Sequence, residues 1–235
     1  MIRRIAILAF DGYQPLDVVG PFEVFATAAE VQRRRKARDA GYAPVLVSPG
    51  GKPLRGESGL ALLPELSLSQ LAAARGPRFH TLLVAGGRGA RMAAQQLEIQ
   101  RLVRRAAARG ERVASVCTGA FVLTASGLLD GKPATTHWAY CKALAASYPE
   151  VTVEPDPIYV QDGSVWMTGS SPADYLETVR VETARRLLES SLHSVERVAE
   201  LSGFGTAESL RRAFARRIGL SPREYRARFG ARTAV

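Results

Sequence analysis

Residues 81–120, TLLVAGGRGARMAAQQLEIQRLVRRAAARGERVASVCTGA, contain one full repeat of the pattern that decides the architecture. Thr81–Val84 is a short apolar run that reads as a buried strand, and the glycine-rich AGGRGAR behind it reads as a loop. Apolar residues then recur at helical spacing from about Ala94 to Arg109, before Val113–Val116 gives a second buried strand. A strand, a helix of roughly ten or more residues and another strand make a parallel pair, because a crossover of that length returns the chain in the same direction. The second strand runs into SVCTGA, so Cys117 ends a strand and stands just before a helix. A thiol there meets the helix dipole and backbone N–H groups with no helical acceptor, and both favour thiolate. Cys117 is therefore expected to be partly accessible with a lowered pKa. A small cysteine filling core volume is the plain alternative.

Towards the N-terminus the pattern repeats. Ile5–Phe10 reads as a strand, a helical stretch from about Leu16 continues past Pro21 to the basic run Arg33–Arg38, and Val45–Val47 is the next strand. Such alternation implies an α/β domain with a parallel sheet, helices on both faces, and ligands at the carboxyl ends of the strands. Three segments reach those ends: Asp11–Glu23 with carboxylates at Asp11, Asp17 and Glu23; Ala85–Arg91 with Gly86 and Gly87; and Ser115–Ala120 with Cys117 and Thr118. AGGRGAR is not GxGxxG, so no dinucleotide site and no cofactor is expected. Cys117 and Cys141 are far apart and in no CxxC pair, which argues against a disulfide framework and a zinc site and suits a reducing cytoplasm. No apolar run approaches the roughly 20 residues that span a bilayer, and Met1–Phe10 is too short for a signal-peptide core. Cys141 reads as packing, His80 and His193 as structural, and Trp138, Trp166 and Tyr159 as core or interface.

The chain has 235 residues, 46% of them hydrophobic, and a net charge of +10, which favours a polyanionic partner. Ser194–Phe229, SVERVAELSGFGTAESLRRAFARRIGLSPREYRARF, is where that charge gains a shape. Ser194 caps a helix whose apolar face is Val195, Val198, Ala199 and Leu201; Arg197 stands where a capping box would need Glu or Gln. Gly203 and Gly205 make a tight turn around Phe204, and Thr206 caps a second helix that Gly219 stops near Ile218. Ala207, Leu210, Phe214 and Ile218 are its inner face. Glu208, Ser209, Arg211, Arg212 and Arg216 lie on its outer face and flanks, able to reach base edges or phosphates in a major groove. Ser221 and Pro222 start a last helix bearing Arg223, Arg226 and Arg228. Eight Arg against two Glu between Gly203 and Val235 is the footprint of a phosphate-binding face, although a solvated arginine face would have the same charge.

With the preceding VRVETARRLLESS, this segment closely resembles the second helix-turn-helix of the AraC/XylS regulators. The chain from Ile2 to about Thr168 resembles the DJ-1/PfpI superfamily, specifically the amidase-like domain of GlxA-type regulators, through LDVVGPFEVF, LLVAGG, SVCTGAFVLTASGLLDGKPATTHW and DPIYVQDGSVWMTG. The resemblance implies a flavodoxin-like sandwich over residues 1–169 and a small all-α helix-turn-helix domain over 170–235. It also implies a pocket in which Cys117 is joined by Thr118, His137, Asp17 and Glu23, with Gly86 and Gly87 in the adjoining loop. Isonitrile hydratases of the superfamily use a similar Asp, Cys and Thr set, whereas in the fused regulators this domain senses a small ligand.

The sequence departs from the GlxA-type pattern at one place. Thr168 and Gly169 run almost directly into Ser171, Pro172 and a joining helix, Ala173–Glu189, so the closing helix of the sensor and nearly all of the first helix-turn-helix are missing. The reading is a regulator that binds double-stranded DNA as a homodimer under an unidentified small effector. A Cys117-dependent hydratase or hydrolase, and a dimerising module without DNA binding, are the alternatives.

Overall fold

The computed structural model describes residues 2–35, 41–73, 77–169 and 172–230. The end of the basic run, Lys36–Arg38, lies outside them. The chain divides into two compact units, Met1–Pro172 and Ala173–Val235.

In the first unit the strands are β1 (Arg3–Leu8), β2 (Tyr42–Ser48), β3 (Leu54–Arg55), β4 (Ala61–Leu62), β5 (Leu66–Ser67), β6 (Thr81–Val84), β7 (Arg112–Val116), β8 (Pro133–Ala134), β9 (Thr152–Val153), β10 (Tyr159–Asp162) and β11 (Val165–Thr168). The helices are α1 (Pro15–Arg34), α2 (Leu68–Ala72), α3 (Ala90–Ala94), α4 (Leu97–Ala108), α5 (Ala120–Ala125) and α6 (Cys141–Ser147). Seven strands form the main sheet in the order β10-β11-β7-β6-β1-β2-β5, parallel except for the β10–β11 hairpin at one edge. β3 with β4, and β8 with β9, form small separate pairs.

Alternate residues of β1 serve opposite faces, as a strand's two-residue period requires. Ala6 and Leu8 pack with α3, α4 and α5 through Ala90, Ala93, Ile99, Val103 and Phe121. Ile5 and Ile7 pack with α1 through Val18, Phe22 and Phe25. The helix expected from about Ala94 to Arg109 is α4, which starts at Leu97 because Gln96 takes extended backbone, φ −80° and ψ 111°, and the short α3 before it was not expected. β1 starts earlier than the apolar run alone implies: Arg3 and Arg4 are exposed yet pair in register with Tyr42 and Ala43 of β2. The sequence reading did not find β3, β4 and β5, which are too short to leave a periodic signal.

The second unit holds α7 (Pro172–Ser190), α8 (Val195–Leu201), α9 (Ala207–Ile218) and α10 (Pro222–Phe229). One helix-turn-helix, α8 and α9, is present among the described residues. Its core is Val181, Ala184 and Leu188 of α7, Val195, Val198 and Ala199 of α8, Leu210, Ala213 and Phe214 of α9, and Tyr225 of α10. Leu201, expected inward, is exposed, because α8 ends there. Ser194 and Thr206 cap their helices through Arg197 N–H and Ser209 N–H, both at 3.2 Å, and Ser221 with Glu224 completes a capping box. Phe214 meets Tyr225 edge-on at 5.3 Å, and the Tyr225 hydroxyl donates to Glu189 Oε1 at 2.6 Å, which locks α10 onto α7.

Candidate functional site

The order of the sheet reverses around β1, which has β2 on one side and β6 on the other. In open α/β sheets a crevice forms at such a switch point, outside the carboxyl ends of the strands. Here the ends of β1, β6 and β7 deliver Asp17 of α1, the Gly86–Gly87 pair, and Cys117 with Thr118.

Their polar groups engage one another. Gly86 N–H donates to Asp17 Oδ2 at 3.1 Å, although Asp17 itself is fully buried. Gly87 N–H donates to Thr118 Oγ1 at 2.8 Å, and the same hydroxyl donates back to Gly87 C=O at 2.9 Å. The Gly86 carbonyl accepts Gln14 N–H at 2.9 Å, and Thr136 Oγ1 donates to Cys117 C=O at 3.0 Å. The approach is so close that a Cβ on Gly86 would lie 2.7 Å from Asp17 Oδ2 and 2.8 Å from both Cys117 Cβ and Thr118 N. Carboxylate, thiol-bearing carbon and an amide therefore converge on one point.

Cys117 is the one non-glycine described residue with a left-handed backbone, φ 55°, at the turn from β7 into a short 3₁₀ segment, Cys117–Gly119, and α5. Such a conformation costs about 1–3 kcal/mol and persists only where neighbours impose it. A sharp strand-to-helix turn of this kind presents a nucleophile at the top of a sheet. The thiol is less open than its position suggested. Cys117 is only 8% exposed, packed with Ile7, Ala9, Tyr13 and Val116, so the expectation of partial access is corrected.

Of the residues expected beside it, Asp17, Thr118, Gly86 and Gly87 are brought together, and Glu23 is not. Glu23 is exposed on α1, along a shallow groove with Val24, Thr27 and Val31. Two turns of helix carry it away from Asp17. His137 follows Thr136, caps a 3₁₀ turn by accepting Ala139 N–H at Nδ1, 3.2 Å, and lies against the rings of Trp138 and Tyr140. The Gly86 and Gly87 N–H groups are already bonded, so they are not idle donors for an oxyanion. Tyr13, fully buried, was missed: its hydroxyl donates to Leu60 C=O at 2.9 Å, and burial, helped by Asp11, raises its pKa. Thr136 was missed as well, since nothing in TTHW marks a hydroxyl that reaches Cys117 from 19 residues away. Trp138 and Tyr159, expected in the core or at an interface, are exposed. Among the described residues no cluster of His, Cys, Asp and Glu has the makings of a metal site. No helix among them is long and apolar enough to cross a membrane.

The second unit presents a different surface. Leu210 and Phe214 face its core, which turns Arg212, with a side chain 70% exposed, and Glu208 outward. Arg211 and Arg212 approach Glu208 only at 3.7 and 3.9 Å, and Arg211 approaches Glu196 at 3.9 Å. These are long, solvated pairs that hold little energy. Arg216 differs. Its guanidinium binds Glu177 of α7 at 2.5 Å beside Arg217 at 2.9 Å, so its first partner is within the fold. Thr206 and Ser209 bond to each other at the start of α9.

Two family models match the chain: the DJ-1/PfpI family over residues 3–181 and a helix-turn-helix domain over residues 159–228. They overlap at 159–181, so the first part of α7 is shared between them. The isonitrile hydratase of Pseudomonas putida is 33% identical over 195 residues, covering 79% of this chain and 76% of that protein. The HTH-type transcriptional regulator GlxA of Rhizobium meliloti is 29% identical over 160 residues, 65% of this chain and 48% of that protein. An HTH-type transcriptional regulator of Mycobacterium tuberculosis is 49% identical over 61 residues, 26% of this chain and 24% of its own length. With the crevice, the Cys117 turn and the capped basic helix in place, these matches settle the family: the chain belongs to the DJ-1/PfpI family, with a C-terminal helix-turn-helix domain of the AraC type.

Proposed function

We propose that this chain is a DNA-binding transcription regulator in which α9 enters the major groove and the Cys117 crevice receives a small effector. The observation that carries the reading is α9 itself, capped at Thr206, anchored by Leu210 and Phe214, and presenting Arg211 and Arg212 to solvent. A single reading helix supplies only a few base contacts at about 1–3 kcal/mol each, whereas specific binding needs about 4–10 kcal/mol over non-specific binding. The working form is therefore a homodimer that offers two such helices to DNA inside the cell. Footprinting on DNA flanking the gene tests this. A protected pair of half-sites is expected, and no protection at any concentration that saturates non-specific binding contradicts it.

A second reading follows from the strained Cys117 turn beside a buried carboxylate, together with the likeness to isonitrile hydratase. Cys117 Sγ would add to the isonitrile carbon as the thiol proton passes to that carbon by way of Asp17, and water would then hydrolyse the thioimidate to the formamide and restore the thiol. Formation of a formamide from an isonitrile, abolished by Cys117→Ser, would establish it. Absence of turnover leaves the crevice as a sensor.

A further inference from the structure

A cavity of about 670 Å³ lies in the first unit, at the opposite end of the sheet from Cys117. It opens at the amino-terminal ends of β6 and β7, beside the β10–β11 turn. β7 separates the two sites by five residues, or about 16 Å at roughly 3.3 Å per residue. The volume falls within the range of small-ligand sites, about 300–1,000 Å³.

Its walls are cationic. Arg78, Arg109 and Arg112 line it, and none of the three has a carboxylate within ion-pair distance among the described residues. The guanidinium of Arg112 sits over the ring of Trp166 at 5.3 Å, and Tyr159 stacks on the same indole at 6.2 Å. That packing fixes one cation before any ligand arrives, which lowers the ordering cost of binding. The cavity holds one carboxylate, Glu111, and burial pushes its pKa up even though Arg109 and Arg78 pull it down. His80, also on the wall, has its pKa lowered by burial and by Arg112 and Arg3. Three guanidiniums against one carboxylate leave a positive, concave space that no other carboxylate among the described lining residues neutralises.

We propose that this cavity is a second ligand site, separate from the Cys117 crevice, for a small multivalent anion carrying phosphate groups or clustered carboxylates. Guanidinium groups suit either through paired N–H donors. A concave site walled by Trp166 fits a small molecule better than a duplex, whose phosphates lie on a convex surface.

Trp138 and Trp166 are the two tryptophans, so Trp138→Phe makes Trp166 the sole indole reporter. Pyrophosphate and citrate are titrated separately into this variant at constant ionic strength, with sodium chloride as control. A saturating change in Trp166 fluorescence is expected for at least one of them, and the tighter of the two identifies the favoured acid group. In the same background Arg78→Gln/Arg109→Gln should weaken it tenfold or more, while Arg78→Lys/Arg109→Lys, which keeps the charge, should stay within a few-fold. A drift no different from that of chloride, or an unchanged midpoint in the glutamine variant, overturns the proposal. Loss of duplex DNA affinity in the glutamine variant, without saturation by either anion, would assign the arginines to a phosphate backbone and overturn it too.

Discussion

The Cys117 crevice and α9 treat polar groups in opposite ways. In the crevice, Asp17, Gly86, Gly87 and Thr118 satisfy one another in a buried space, and Gly86 leaves no room for one added carbon. On α9, Glu208, Arg211 and Arg212 face water and hold one another only loosely. The first arrangement is a fixed geometry that a ligand must match. The second is a presented surface whose arginines hold only long, solvated pairs to Glu196 and Glu208. One region therefore tolerates little substitution without loss of structure, and the other tolerates much with loss of binding alone.

The largest expected effect breaks the second unit outright. Phe214 is fully buried, and Phe214→Ala should cost about 3–5 kcal/mol. Thermal unfolding should show the loss, and DNA binding should disappear with it, while the alkylation rate of Cys117 stays at the wild-type value. A changed Cys117 rate would show that the two regions are not separable.

Within the crevice the effects are next in size. Gly86→Ala should destabilise by about 1–3 kcal/mol through overpacking, and Asp17→Ala by a similar amount because the Gly86 N–H loses its buried acceptor. Urea unfolding measures both. A neutral Gly86→Ala would mean that the crevice is looser than its contacts indicate.

Arg212→Ala sharpens the contrast from the other side. Stability should change by no more than about 0.5 kcal/mol, yet specific DNA binding should fall by about 1–3 kcal/mol with relaxed preference at one base pair. Calorimetry and binding to a set of single-base variants separate the two. The smallest effect belongs to Arg216, which Glu177 already engages. Arg216→Ala should weaken DNA binding less than Arg212→Ala does, and equal losses would place Arg216 in the groove after all.

The same contrast explains what could be read from the chain. Ser194, Thr206, Gly219, Leu210 and Phe214 act within one or two turns of themselves, so caps, stop and inner face were legible in order. β1, β6 and β7 were legible as short apolar runs, β6 at its observed bounds and the other two with ends displaced by one or two residues. In the crevice the contacts join Thr118 to Gly87 across 31 residues and Asp17 to Gly86 across 69, distances at which no local pattern exists. Resemblance pointed to Asp17, Thr118, Glu23 and His137 together, and it transfers residue types and not side-chain directions: Asp17 and Thr118 bond to the Gly86–Gly87 loop, while Glu23 is exposed on α1. The burial of Cys117 depends on Tyr13, Ile7 and Val116 closing around it, and none of these carries a mark in the sequence.

As proposed, α9 binds duplex DNA through Arg211 and Arg212. Fluorescence anisotropy of a labelled duplex from the flanking DNA, followed across a salt series, compares the wild-type chain with Arg211→Ala/Arg212→Ala. The double variant should bind at least tenfold more weakly at physiological salt, and its plot of log K against log salt should be shallower by about one to two. Superimposable lines for the two proteins would contradict the claim.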